Sequence, residues 1–142
     1  MKIGVDYIGV VVVFFCHDGR GNYLLAKRTN NCRDEHGRWD PGGGAIEFGE
    51  TVDKVLEREI REEYTTTIKN KEFLGFRDVH REHEGKKTHW IALDFRVEVD
   101  RAAVSNGEPH KFEEIAWFAI DNLPKPIHSQ FSIFYEQYKD RL

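Results

Sequence analysis

Only two cysteines are present, Cys16 and Cys32, in unrelated surroundings and without C-x-x-C spacing. Their scarcity excludes a disulfide framework and a thiolate zinc site, and reduced thiols are the default. No run approaches the roughly 18 consecutive apolar residues that a membrane-crossing helix requires. The longest, Val10 to Cys16, is one strand long. A basic lead-in with a small-residue cleavage site is also missing, so a cytoplasmic protein with no membrane partner is expected. Neither sign of charge dominates: 21 Lys and Arg stand against 25 Asp and Glu, a formal net charge of −4. Without a basic face, duplex nucleic acid is not an expected partner. If the ligand carries phosphates, something other than net charge must attract them.

With only four prolines and no repeat, linker or low-complexity tract, residues 1–142 read as a single α+β domain. Ile3 to Cys16 reads as a long buried strand, and Tyr23 to Arg28 as its hairpin partner across the turn residues His17 to Asn22. A polar loop, Thr29 to Arg38, leads to the cluster Gly42-Gly43-Gly44. Thr51 can cap a helix running to about Tyr64. Ile68 to Arg81 and Lys87 to Val99 read as antiparallel strands, the second alternating as a half-exposed strand does. After a polar loop, Asp100 to Lys111, come a short strand, Glu114 to Ala119, and a closing helix, Ser129 to Tyr138.

The first helix breaks its own pattern. At 100° per residue, Val52, Val55 and Leu56 form an apolar face, with Asp53, Lys54, Glu57 and Arg61 opposite. Extending that face calls for apolar residues near positions 59, 62 and 63. The sequence supplies Glu59, Glu62 and Glu63, with Ile60 alone as an apolar shoulder. Like charges at these spacings each cost roughly 0.2–0.5 kcal/mol on an exposed helix. A local contradiction of this kind marks a functional site. A divalent cation with a preference for hard oxygen ligands, Mg²⁺ or Mn²⁺, resolves it. The bland alternative is a solvated acidic helix in which Arg58 pairs with Glu62 at i, i+4.

The wider pattern Gly44-x5-Glu50-x7-Arg58-Glu59-Ile60-x-Glu62-Glu63 resembles the signature box of the Nudix (MutT-type) hydrolases. The resemblance implies a Nudix-type α/β/α sandwich around a mixed sheet. It also implies a Mg²⁺- or Mn²⁺-dependent pyrophosphohydrolase acting on phosphorus-containing acid anhydrides. Glu59, Glu62 and Glu63 would include the metal ligands, with Glu50 and a carbonyl of Gly43 or Gly44 as further candidates. Gly44 and Arg58 would be structural within the motif, Arg58 by pairing with the glutamates. The general base would be Glu59 or a residue of a later loop, Glu113 or Glu114 first, then Glu108 and His110. Three departures stand out, the first being that Cys32 to Asp40, before the box, matches no substrate-specific pattern. Tyr64-Thr65-Thr66 follows the glutamates where the family has x-Gly-aliphatic, and Gly42 stands where a proline is common, with Pro41 one position earlier.

The expected substrate is a small nucleotide, first a nucleoside triphosphate such as a damaged dNTP, then ADP-ribose or a nucleotide sugar. The reading from another class is a nucleotide-binding Nudix module without catalysis. RNA cap removal ranks low, because no basic track for the RNA is evident. Arg28 and Trp39 are candidate substrate contacts, Arg28 against a solvated strand end and Trp39 against core packing. Phe48 reads as core or loop packing. His80, His83 and His89 do not read as a zinc site, since His80 and His83 point to opposite faces of a strand and no cysteine is near. A homodimer is the default expectation for oligomeric state.

Overall fold

A computed structural model describes all residues, 1–142. Its elements in chain order are β1 (Gly9–His17), β2 (Asn22–Arg28), β3 (Trp39–Asp40), β4 (Gly43–Ala45) and α1 (Val52–Tyr64), followed by β5 (Ile68–His83), β6 (Lys86–Val99), β7 (Phe112–Ala119) and α2 (Phe131–Tyr138). All seven strands form one mixed sheet ordered β3-β2-β1-β6-β5, with β4 on β1 and β7 on β2. The central pair, β1 and β6, is parallel, and the other strand pairings are antiparallel.

Helices cover both faces, which explains the unbroken apolar run of β1. Its even positions, Val12, Phe14 and Cys16, pack with Val55, Leu56, Ile60 and Tyr64 of α1. On the other face Phe15 packs with Tyr23, Leu25 and the α2 residues Phe131, Phe134 and Tyr138. Successive strand residues point to opposite faces, so a strand covered on both sides needs apolar residues at every position. Each large apolar side chain buried in this way contributes about 1.5–3 kcal/mol.

Several elements differ from the expectation. The first strand begins at Gly9, because residues 2–7 form a turn closed by the Gly4 amide on the Tyr7 carbonyl at 2.7 Å. Gly4 and Gly9 lie so close to the Trp90 indole that a Cβ at either would collide with it. Strand β6 is not half-exposed: Phe95, Val97 and Val99 are buried on the α1 side, and Ala92 and Asp94 are buried on the other, where Asp94 meets Tyr138 of α2. The β5–β6 hairpin is also longer, reaching the two-residue turn Glu84-Gly85, both at positive φ. Phe48 is fully exposed on the loop before α1. No helix is long and apolar enough to cross a membrane.

Candidate active site

The N-terminus of α1 is capped as its sequence dictates, the Thr51 hydroxyl accepting the Lys54 amide at 3.2 Å. Its C-terminus ends at Thr65, which takes the left-handed conformation at φ 55° and donates its amide to the Arg61 carbonyl at 2.9 Å. A β-branched residue is costly there, which accounts for the glycine in the family pattern. Here the Thr65 hydroxyl sits 2.5 Å from the Ser105 hydroxyl, tying the helix end to the loop before β7. The Gly107 amide donates to the Glu63 carbonyl at 2.9 Å, and the Ser105 amide to the Tyr64 carbonyl at 3.1 Å. Carbonyls that every helix end leaves unpaired are thereby satisfied by one loop. A Cβ on Gly107 would strike the Glu62 carbonyl, so only glycine allows this approach. The approach brings Glu108 close enough to act electrostatically on both Glu59 and Glu63.

The three glutamates occupy three different environments. Glu62 is half exposed and lies 3.5 Å from Arg58, the i, i+4 pair that its spacing foretells. The Glu59 carboxylate is mostly covered and accepts Arg58 Nη1 at 2.8 Å. Glu63 is only 3% exposed, and its Oε2 has no hydrogen-bond partner. Burial raises the Glu63 carboxyl well above its ordinary range, and the charges of Glu59, Asp40 and Glu108 push the same way, while the Gly43 amide works against them. Burial also raises Glu59, with Arg58 opposing. A buried carboxylate oxygen without a donor costs on the order of 1–3 kcal/mol or more, and natural folds retain one where a ligand completes it.

Arg58 is the hub that aims this set. It donates from Nε and Nη2 to the two Glu50 oxygens at 2.8 and 2.9 Å, as well as to Glu59. The forked guanidinium matches a carboxylate with two parallel bonds. That bonding holds Glu50 down at a pKa of about 2. Glu50 also accepts the Glu47 amide at 3.0 Å, which shapes the loop leading into α1.

Beyond β4 opens a cavity of about 350 Å³. Its walls include Val11 and Val13 of β1, Gly43 to Ala45, and, from β5 and β6, Val79, Trp90 and Ala92. Four arginines reach it: Arg28, Arg33, Arg77 and Arg81. Arg28 is gripped by Asp40 at 2.9 Å and Asp34 at 3.2 Å. Four arginines against the two carboxylates of Asp34 and Asp40, next to an apolar slot, suit an anion carrying a flat organic group.

A NUDIX domain family model matches residues 7–138. The chain belongs to the Nudix family. It is 36% identical over 103 residues to an ADP-ribose pyrophosphatase of Methanocaldococcus jannaschii, covering 72% of this chain and 57% of that protein. It is 30% identical over 114 residues to the NAD-capped RNA hydrolase NudC of Pseudomonas aeruginosa, covering 80% of this chain and 37% of that one. The chain thus spans little more than half of the first relative and well under half of the second. Among solved structures, a MutT NUDIX hydrolase from Burkholderia pseudomallei superposes with a TM-score of 0.81 at 28% identity, covering 93% of this chain and 98% of the other. The α/β/α fold expected from the box is the Nudix fold.

Within this Nudix site, some of the residues expected from the sequence converge and others do not. Glu50, Arg58, Glu59 and Glu62 form one connected cluster, and Gly43, Gly44 and Arg28 line the adjoining cavity. Glu113 lies apart on β7, half exposed and 3.4 Å from Lys27. Glu108, by contrast, is among the leading charges that raise both Glu59 and Glu63. Trp39 is packed edge-on against Phe118 within the α2-side core and does not line the cavity. The cavity residues Trp90, Arg77 and Arg81 do not stand out in the sequence. Their signal is the period-2 alternation of β5 and β6, which specifies a face but not what covers it.

Gly44 offers a clean test of positioning. A Cβ there would fall on the Glu59 carboxylate, the movable end of a flexible side chain, whereas a Cβ on Gly43 would strike the fixed Val12 carbonyl. Gly44→Ala should keep stability within about 1 kcal/mol yet lower turnover by ~100-fold through displacement of Glu59. Gly43→Ala should lower stability itself. Denaturant melts and turnover measured on both variants check this, and undiminished turnover in Gly44→Ala would remove Glu59 from the reaction.

Proposed function

We propose that this chain is a divalent-cation-dependent pyrophosphohydrolase whose substrate is a nucleoside triphosphate. The observation that carries this reading is the unpartnered Oε2 of buried Glu63, next to Glu59 and within one strand of the cavity. Glu50, Glu59 and Glu62 share the single cation of Arg58 and Glu63 adds a further carboxyl beside them, an excess of oxygen donors that fits Mg²⁺ or Mn²⁺, which favour such donors and share themselves with phosphates. Glu59, Glu62 and Glu63 would hold the ion, with Glu50 and the Gly43 carbonyl at the edge of the set. When bound, it supplies charge neutralisation of the phosphates and a more acidic water. It also accounts for an anionic substrate on a chain of net charge −4.

The remaining work belongs to the chain. Arg58 fixes Glu59 and Glu50 in place. The cavity takes the nucleoside, with Arg77 in its wall, and Arg28 anchors the anionic end. Glu59 or Glu108 accepts the proton of the attacking water, both lying in the acidic cluster and one arriving on the loop that caps α1. Glu108 replaces Glu113 in this role because of its place beside the glutamates.

A volume of about 350 Å³ lies at the small end of ligand pockets and accommodates one nucleoside more comfortably than a nucleoside with a second sugar. The second reading, ADP-ribose, is favoured by the relative from Methanocaldococcus jannaschii that bears that activity in its name. A hydrolysis screen across dNTPs, ADP-ribose, nucleotide sugars and dinucleoside polyphosphates, read by the nucleoside monophosphate formed, separates the two. We expect hydrolysis of triphosphates only when Mg²⁺ or Mn²⁺ is added. Binding without hydrolysis of any of these compounds, with metal present, would instead identify a non-catalytic module.

A further inference from the structure

The β5–β6 hairpin carries a second group of ligating side chains, on the sheet face opposite the cavity. Arg77, Val79 and Arg81 of β5 line the cavity, so Asp78 and His80 between them point to the other face. The register sets His80 directly across from His89 of β6 and Asp78 across from Ile91. Asp78, His80 and His89 therefore share one face, two side by side on β5 and one opposite. Their ligating atoms all lie within 4.8 Å of one another. His89 Nε2 is 3.4 Å from Asp78 Oδ1, and the two imidazoles stack with centroids 4.1 Å apart at 29°. His80 and His83 do fall on opposite faces of β5, as their spacing implies, but cross-strand pairing gives His80 a different partner in His89.

We propose that Asp78, His80 and His89 form a binding site for a transition-metal dication of the Zn²⁺ class. The donor set decides the class. Two imidazoles and one carboxylate suit Zn²⁺, Ni²⁺ or Cu²⁺, whereas Mg²⁺ and Mn²⁺ favour the all-oxygen cluster on α1. Three protein ligands leave a coordination position open to water, and the partial exposure of all three residues makes the ion exchangeable. The ligands are spaced by a rigid scaffold, since backbone pairing runs from Ile68↔Val99 to His83↔Lys86 and the strands are joined by two residues. Further out on the same face, Glu82 lies across from Lys87, adding an acidic and a basic neighbour without a net charge. An ion held by β5 and β6 together staples the hairpin at the outer edge of the sheet, where β5 has no further strand beside it.

The test is equilibrium dialysis of the whole chain against Zn²⁺ with Mg²⁺ in excess to occupy the glutamates. A single retained Zn²⁺ per chain is expected, with a rise in melting temperature. His80→Ala and His89→Ala should each weaken retention at least ~10-fold, the lower bound seen even for lost outer-shell partners, and abolish the thermal shift. Asp78→Asn, which preserves shape, serves where an alanine variant folds poorly, and should weaken retention in the same direction. Glu63→Gln should retain Zn²⁺ as the unaltered chain does. No retained Zn²⁺, retention unchanged in the histidine variants, or retention lost in Glu63→Gln would each overturn the assignment.

Discussion

Glu63→Gln should lower kcat/KM by ~100-fold or more at saturating Mg²⁺, equivalent to about 2.7 kcal/mol of barrier. The same variant should be more stable than the unaltered chain when metal is stripped by a chelator. Both effects have one cause. The Glu63 carboxyl is buried beside Glu59, Asp40 and Glu108, and its Oε2 has no donor. Its pKa in the fold is raised well above 4.5, so it holds a proton after the unfolded chain has released one. Stability from that difference is complete below about pH 4.5 and declines as pH rises through the folded value, at up to about 1.4 kcal/mol per pH unit while it lasts. Glu59, shifted the same way, adds to the decline. The glutamine amide of the variant has no proton to lose, so the stability gap between variant and unaltered chain should widen as pH climbs from 4.5. Added Mg²⁺ should then close or reverse the gap, because the charged carboxylate gains a partner and the amide does not. Denaturant melts across this pH range, with and without metal, check the linkage. Near-normal turnover in a folded Glu63→Gln protein would remove the carboxylate from the proposed metal site.

Legibility of the site in the sequence followed the range of the interactions that build it. Spacing along one helix fixes which side chains are neighbours, so the Arg58–Glu62 pair and the capping by Thr51 could be read directly. The contradiction at 59, 62 and 63 was also legible. The separate fates of these glutamates were not, because burial depends on what lies across the helix. Glu63 is covered on the α1 side of the sheet, while Glu62 faces water. The approach of Glu108 to Glu59 and Glu63 depends on a loop folded back onto the end of α1, through backbone bonds that no side chain announces. Trp39 and Trp90 illustrate the same limit. Both are large aromatics on strands, and only the covering layer decides that one joins the core and the other walls the cavity. The shortened β1 reflects a turn over Trp90, a contact 80 and more residues away in sequence.

Asp94→Asn should cost about 3–5 kcal/mol of stability, the expected scale for stripping one partner from a buried ion pair. Asp94 is fully buried at 0% exposure and accepts Arg77 Nε at 2.7 Å, Arg77 Nη2 at 2.8 Å and the Tyr138 hydroxyl at 2.6 Å. Arg77 is itself 8% exposed and lies over the Phe134 ring at 5.4 Å. Replacing the carboxylate leaves a guanidinium in the interior without a counter-charge, which costs far more than the net worth of the pair. Tyr138→Phe removes one neutral donor from the same oxygen and should cost only about 1 kcal/mol. The double variant Arg77→Met with Asp94→Leu, which removes both charges, should recover much of the loss. The network also reaches the proposed substrate cavity, because Arg77 lines it while Asp94 and Tyr138 hold Arg77 from behind. Asp94→Asn should therefore raise KM in whatever fraction remains folded, with a smaller change in kcat, since Arg77 lines the cavity proposed for the nucleoside and takes no part in the glutamate cluster. Urea melts of the unaltered chain and the three variants, with steady-state kinetics on Asp94→Asn below its melting range, supply both readings. A loss under about 1 kcal/mol for Asp94→Asn would mean that Arg77 finds water in the cavity, and the floor of the site would then be wet instead of built from a fixed ion pair.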